Sequence, residues 1–113
     1  MSSRDELIDK YADEIREKCG ESPDRDLLGR VVVGLGPAVY NADASVVAAS
    51  DPDEVESIKK NFLIKKLGLT DGPDLDAALD KVFEQYGRSN RHKYRAVVYY
   101  LLTRHFGREA AYA

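Results

Sequence analysis

The sequence predicts one compact all-α domain of five to six helices, with the last helix (about 90–106) central, and three observations carry that expectation. Apolar residues recur with the 3.6-residue period of an amphipathic helix in several separated segments, and no segment alternates with the period of two that marks a strand. Glycines stand just past most of these segments, where a helix needs a left-handed stop. The length of 113 residues allows one domain. A domain of this size buries roughly two-thirds of its unfolded surface, so it needs no metal or disulfide. With Cys19 the only cysteine, an internal bridge is excluded anyway.

The first helix is expected over about 3–19. Leu7, Ile8, Tyr11, Ala12, Ile15 and Cys19 lie on one stripe, Ser3 and Glu6 form a capping box, and Gly20 follows. Ser22-Pro23 opens a second helix through Leu27, Leu28, Val31 and Val32 to about Gly34. The β-branched run Val31-Val32-Val33 has no strand to pair with, so the helix is preferred there. Gly34, Gly36 and Pro37 break the chain, and Ala38 to Tyr40 and Val46 to Ala48 read as short helical turns flanking a polar joint at Asn41 to Asp43.

Ser50-Asp51-Pro52 starts a helix with acids in its first turn, Lys65 and Lys66 near its end, and a buried stripe of Val55, Ile58, Phe62 and Leu63 or Leu67. Asp71-Gly72-Pro73 starts the next, whose Leu75, Ala78, Leu79, Val82, Phe83 and Tyr86 make the cleanest amphipathic pattern in the chain. The last helix should begin after Ser89 or Asn90 and end at Gly107. From Ala96 to Leu102 every residue is apolar or aromatic, which is why this helix is expected at the centre.

The net charge of −3 hides four blocks. Residues 1–58 hold six basic and fourteen acidic residues, a balance of −8; Lys59, Lys60, Lys65 and Lys66 add +4; residues 69–86 return to −4; and residues 87–113 carry +5. Such blocks either pair with one another inside the fold or present a basic patch to a partner. No run approaches the roughly 18 apolar residues of a membrane helix, and the acidic start is unlike a secretory signal. A soluble, cytoplasmic protein without membrane contact is the expectation.

Four stretches resemble a family of short bacterial proteins known as domain of unknown function 2853: RDELIDKYADEIREKCG (4–20), GPAVYNADASVVAASD (36–51), NFLIKKLGL (61–69) and, most specifically, YGRSNRHKYRAVVYYLLTRHFG (86–107). The resemblance spans nearly the whole chain. It implies an all-helical domain loosely like a pair of helix-loop-helix units, and no activity, cofactor or partner.

A calcium loop framed on Asp43 would place Val47 at its fifth position, Ala48 at its sixth and Glu54 at its twelfth. The fifth needs an oxygen ligand and the sixth a glycine, so calcium is not expected. The cluster Arg88, Arg91, His92, Lys93 and Arg95 is the one feature local physics does not ask for, because cations at a helix N-terminus oppose the macrodipole. Arginine forks beside free N–H groups suit an anion. Arg88, Arg91 and Arg95 share a helical face that Tyr99 continues. Against this stands the alternative that acids of the first helix or of residues 71–84 cover the cluster and fix how the last helix docks.

The tyrosines around that helix, Tyr94, Tyr99 and Tyr100, could stack bases, though core positions with satisfied hydroxyls are the commoner outcome. An acidic pI near 5.4 argues against general nucleic-acid binding. His92 and His105 lie too far apart for one metal, Cys19 continues an apolar stripe, and no dinucleotide or phosphate loop is present, so no metal, cofactor or catalytic constellation is expected.

Three function classes follow. The first is a non-enzymatic binding protein whose face at Arg88, Arg91, His92, Lys93, Arg95 and Tyr99 holds an anionic partner, an acidic protein surface, a nucleotide or RNA, with Lys59, Lys60, Lys65 and Lys66 as a secondary patch. The second is a homodimer closed by complementary acidic and basic helices. The third is an enzyme whose residues converge only in the fold.

Overall fold

Local capping sets where the helices begin. In the computed structural model, which describes residues 3–90 and 92–112, α1 spans Arg4–Lys18 and starts at Ser3, whose hydroxyl accepts from the Glu6 N–H. The second helix, α2 (Arg25–Leu35), is capped not by Ser22 but by Asp24, whose carboxylate accepts from the Leu27 N–H. The shift has a tertiary cause: the Asp24 N–H donates to the Tyr100 hydroxyl at 2.7 Å, which fixes Asp24 at the helix entrance.

A 3₁₀ turn, Gly36–Tyr40, follows as expected. Asn41 then accepts from the Asp43 and Ala44 N–H groups, a side-chain turn that reverses the chain. Val46–Val47 forms a short strand, β1, where a helical turn was expected. Its antiparallel partner, β2 (Lys93–Tyr94), pairs Tyr94 with Val46 and Lys93 with Val47. Two residues of pairing leave no period-two trace in a sequence.

The third helix begins as α3 (Pro52–Ser57), capped by Asp51, and continues without a break as a π-helical stretch, Ile58–Lys66. The wider winding ends with the Leu67 N–H donating to the Phe62 carbonyl, five residues back. Ile58, Phe62, Leu63 and Leu67 are buried, so the stretch keeps one face on the core.

The amphipathic α4 (Pro73–Tyr86) stops at Gly87, whose φ of 106° suits glycine alone. Last comes α5 (Arg95–Phe106), closed by Gly107 at φ 64° and followed by a 3₁₀ turn, Glu109–Tyr112. It starts about four residues later than a start just after Ser89 or Asn90 would give. The Asn90 side chain accepts from the His92 N–H rather than capping a helix, and residues 93–94 are taken by β2. The basic cluster therefore spans a loop, a strand and the first residue of α5; Arg95 and Tyr99 share a face of that helix, and Arg88 lies in the loop before it.

The fold is all-α apart from the two-residue bridge, with five helices among the described residues and α5 at the centre. Ala96, Val97, Val98, Tyr100, Leu101, Leu102 and Thr103 are all buried, and the remaining helices close around them. The elements form two helix-loop-helix units, α2–α3 and α4–α5, joined at their loops by β1 and β2. The radius of gyration, 12.9 Å, is that of one domain, for which about 13 Å is usual near 100 residues.

Tyrosine hydroxyls tie the helices together. The Tyr86 hydroxyl donates to Glu14 at 2.7 Å and accepts from the Tyr94 N–H at 3.2 Å, linking α4 to α1 and β2. Burial pushes Tyr11 and the Cys19 thiol up to about 12 each, and raises Tyr86, Tyr100 and Tyr112 as well. Each of these groups is favoured neutral in the folded state. Their stabilisation is complete below the unfolded values of 9.0 for Cys and 10.0 for Tyr, and is lost as pH rises through the folded values. Lys93, its pKa lowered by burial, runs the other way but is a single group. Urea denaturation from pH 7 to 12 should thus show constant stability to about pH 9 and a steep fall above pH 10, in step with tyrosinate absorbance.

Candidate functional site

The basic cluster of residues 88–95 divides in the fold. Arg91 lies outside the described residues. Arg95 is turned inward: its Nε donates to the Ala44 carbonyl at 2.9 Å, its Nη2 to the Val46 carbonyl at 3.2 Å and to the Glu54 carboxylate, and its Nη1 to the Tyr99 hydroxyl at 3.3 Å. Its backbone N–H adds a bond to the Ser45 carbonyl at 2.7 Å. Burial works against the charge of Arg95, but the bonds to Tyr99 and Glu54 outweigh it and raise the pKa.

Lys93 is almost completely buried, and its ammonium donates to the Asn90 carbonyl at 2.6 Å and the Arg88 carbonyl at 3.4 Å. Burial, then the nearby Arg88 charge, lowers its pKa. The loops between α2 and α3 and between α4 and α5 therefore each close on a side-chain cation of the chain itself, Arg95 for residues 44–46 and Lys93 for residues 88–90. Glu54, twelfth in the frame starting at Asp43, is engaged by that guanidinium. Among the described residues no three His, Cys, Asp or Glu side chains gather as a metal site.

Arg88 and His92 are exposed, and Arg88 meets Asp80 at 3.4 Å on the surface. Tyr99 stacks on Phe62 with ring centroids 3.9 Å apart, so that face is already occupied. The Lys59 to Lys66 tetrad is likewise dispersed. Lys59 pairs with Glu56 and Asp76, each at 3.3 Å, Lys60 lies 3.7 Å from Glu56, and the Lys66 ammonium sits 4.5 Å above the Tyr112 ring.

The fold assembles a different basic surface. A groove of about 550 Å³ runs along the outer face of α2, between α1 and the turn after α5. Arg4 of α1, Arg25 and Arg30 of α2, and Lys66 of the π-helical stretch line it, with Asp5 and Asp26 beside them and Arg25 paired with Asp9 of α1. Its floor is small and apolar: Ile8, Gly29, Val33, Gly34 and Ala111. Gly29 leaves ordinary contact to Ile8, since a Cβ there would stand 3.6 Å from the Ile8 side chain. Past Arg4 and Val33 a second hollow of about 270 Å³ leads to Tyr40. Val33 and Tyr40, 55% and 51% exposed, are the most exposed large hydrophobics among the described residues, and both lie on this side.

No local signal in the sequence marks this groove. Its cations are separated by up to 62 positions, and three of the four fall inside the most acidic block, residues 1–58. The hydrophobic clue was Val33, exposed on a helix whose other valines are buried. No described helix is long and apolar enough to cross a membrane. The family described as "Protein of unknown function (DUF2853)" matches residues 10–110. No curated protein matches the chain.

Because Arg95 joins the first loop, β1 and α3 through bonds largely shielded from water, Arg95→Met should lower stability by about 2–4 kcal/mol. Arg88→Met removes only a surface pair and should cost under about 0.5 kcal/mol. Urea denaturation of both variants checks this, and equal stabilities would remove Arg95 from its structural role.

Proposed function

We propose that this chain, which belongs to the DUF2853 family of proteins of unknown function, is a binding module that holds an acidic segment of another protein in the groove along α2. The observation that carries this is the convergence of Arg4, Arg25, Arg30 and Lys66, drawn from three elements, on an apolar floor in a chain of net charge −3. Floor and rim match an amphipathic partner: apolar side chains settle over Ile8 and Val33, and carboxylates reach the guanidinium groups at the edge. A volume of about 550 Å³ lies within the roughly 300–1,000 Å³ of ligand sites.

The anionic partner expected from the sequence is retained, and its seat moves. Of the Arg88 to Arg95 face, Arg95 and Lys93 are spent on the chain's own carbonyls and Glu54. An RNA would want a run of open aromatic faces beside the cations; Tyr11, Tyr86 and Tyr100 are buried and Tyr99 is stacked on Phe62, so the rings near the groove are Tyr40 and Tyr112, and the Tyr112 ring is already covered by Lys66. A nucleophile is not favoured either, because burial raises the Cys19 thiol to about 12 and so keeps it protonated.

A fluorescein-labelled peptide of alternating Glu and Leu tests the reading by anisotropy. Binding should weaken at least about tenfold in the Arg4→Glu, Arg30→Glu double variant, and fall as salt rises from 50 to 250 mM. Both positions are exposed, so circular dichroism should stay unchanged. Equal binding by the folded double variant, or tighter binding of a single-stranded RNA oligomer, would overturn it. Sedimentation at both salt concentrations tests the homodimer: a salt-sensitive dimer would assign the groove to a second copy instead.

A further inference from the structure

The groove is closed at one end by the chain itself. Tyr112, on the turn after α5, lines both the 550 Å³ groove and a neighbouring cleft of about 240 Å³, together with Gly34 and Lys66. That cleft is walled by Leu35, Asn61, Phe62 and Tyr99, so the stacked Phe62–Tyr99 pair lies behind the Tyr112 ring. Tyr112 is the partition, and moving it would join the two spaces.

The ring has a shaped, half-buried seat. A Cβ on Gly34 would stand 3.3 Å from Tyr112 Cε1, so the ring packs against bare backbone. The Lys66 ammonium covers it at 4.5 Å. Among the described residues its hydroxyl makes no hydrogen bond, whereas the hydroxyls of Tyr86 and Tyr100 are both bonded. The turn carrying it is one 3₁₀ turn, held by the Ala111 N–H on the Arg108 carbonyl and the Arg108 N–H on the Thr103 carbonyl. Lifting the ring breaks apolar contact and one cation–π contact but no side-chain hydrogen bond.

We propose that Tyr112 is an intramolecular occupant of the groove, displaced when an acidic partner segment inserts an aromatic side chain of its own. This rests on the groove being the binding surface and adds the partner's chemistry: carboxylates for Arg4 and Arg30, since Arg25 already meets Asp9, and one Tyr or Phe for the seat under Lys66. The incoming ring gains the same Lys66 contact, so Tyr112 acts as a competitor rather than as part of the rim. A binding-competent state populated one-tenth of the time weakens apparent affinity tenfold.

Two labelled peptides test this, Glu-Glu-Leu-Tyr-Glu-Glu and the same peptide with Ala for Tyr. The wild-type chain should prefer the Tyr peptide, and Tyr112→Ala should bind it about tenfold more tightly than wild type while Tyr112→Phe matches wild type. Gly34→Ala gives an independent variant, because its methyl group crowds the ring at a position with ordinary helical backbone; it should also raise affinity for the Tyr peptide. If both peptides bind equally to all variants, still in a salt-dependent way, the groove stands and the Tyr112 proposal falls. If neither binds wild type or Tyr112→Ala, the groove itself is not the site. Weaker binding of both peptides by Tyr112→Ala and Gly34→Ala would make Tyr112 part of the receptor and overturn the proposal.

Discussion

The guanidinium of Arg95 is the contact on which the arrangement of the two helix-loop-helix units depends. It reaches the Ala44 and Val46 carbonyls and Glu54 while its own backbone N–H holds Ser45, so one residue at the start of α5 fixes the first loop, β1 and α3. A charge this far out of water is tolerated because its donors meet oxygen partners, one of them a carboxylate. Lys93 does the same work locally in the second loop, through the carbonyls of Asn90 and Arg88. β1 and β2 then bring the two loops side by side. A loop that closes on a tethered side chain meets its cation without any loss of translational freedom, and its geometry does not depend on ion concentration.

That closure explains why the basic cluster divides as it does. An arginine or lysine that satisfies loop carbonyls has few donors left for a partner, whatever its place in a run of positive residues. The groove lies instead along α2, where one face packs Leu28 and Val31 into the core and the opposite face shows Gly29, Arg30 and Val33 to the groove. Gly34, costly within a helix by up to about 1 kcal/mol relative to Ala, leaves room there for the Tyr112 ring.

Much of the fold was legible because helices are written locally. The Ser3 cap, the stripe from Leu75 to Tyr86 and the stops at Gly87 and Gly107 need only neighbours within a turn or two. Asp24 displaced Ser22 as a cap because of Tyr100, 76 residues away, and α5 lost its expected first turn to a strand pairing with residues 46–47. Neither competitor has a local trace. The candidate site was less legible still: charge summed along the chain marked residues 87–113 as the basic region, whereas charge summed in space marks Arg4, Arg25, Arg30 and Lys66.

By itself the sequence determined an all-α domain, its helix stops and the burial of the segment from Ala96 to Leu102, because periodicity, capping and a continuous apolar run act over a few residues. It also indicated the DUF2853 family, whose model matches residues 10–110. Only the tertiary structure decided which cations face inward, where the groove lies and what closes it. Those outcomes depend on which distant carbonyls, carboxylates and rings each side chain meets, and distance in space is not additive along a chain.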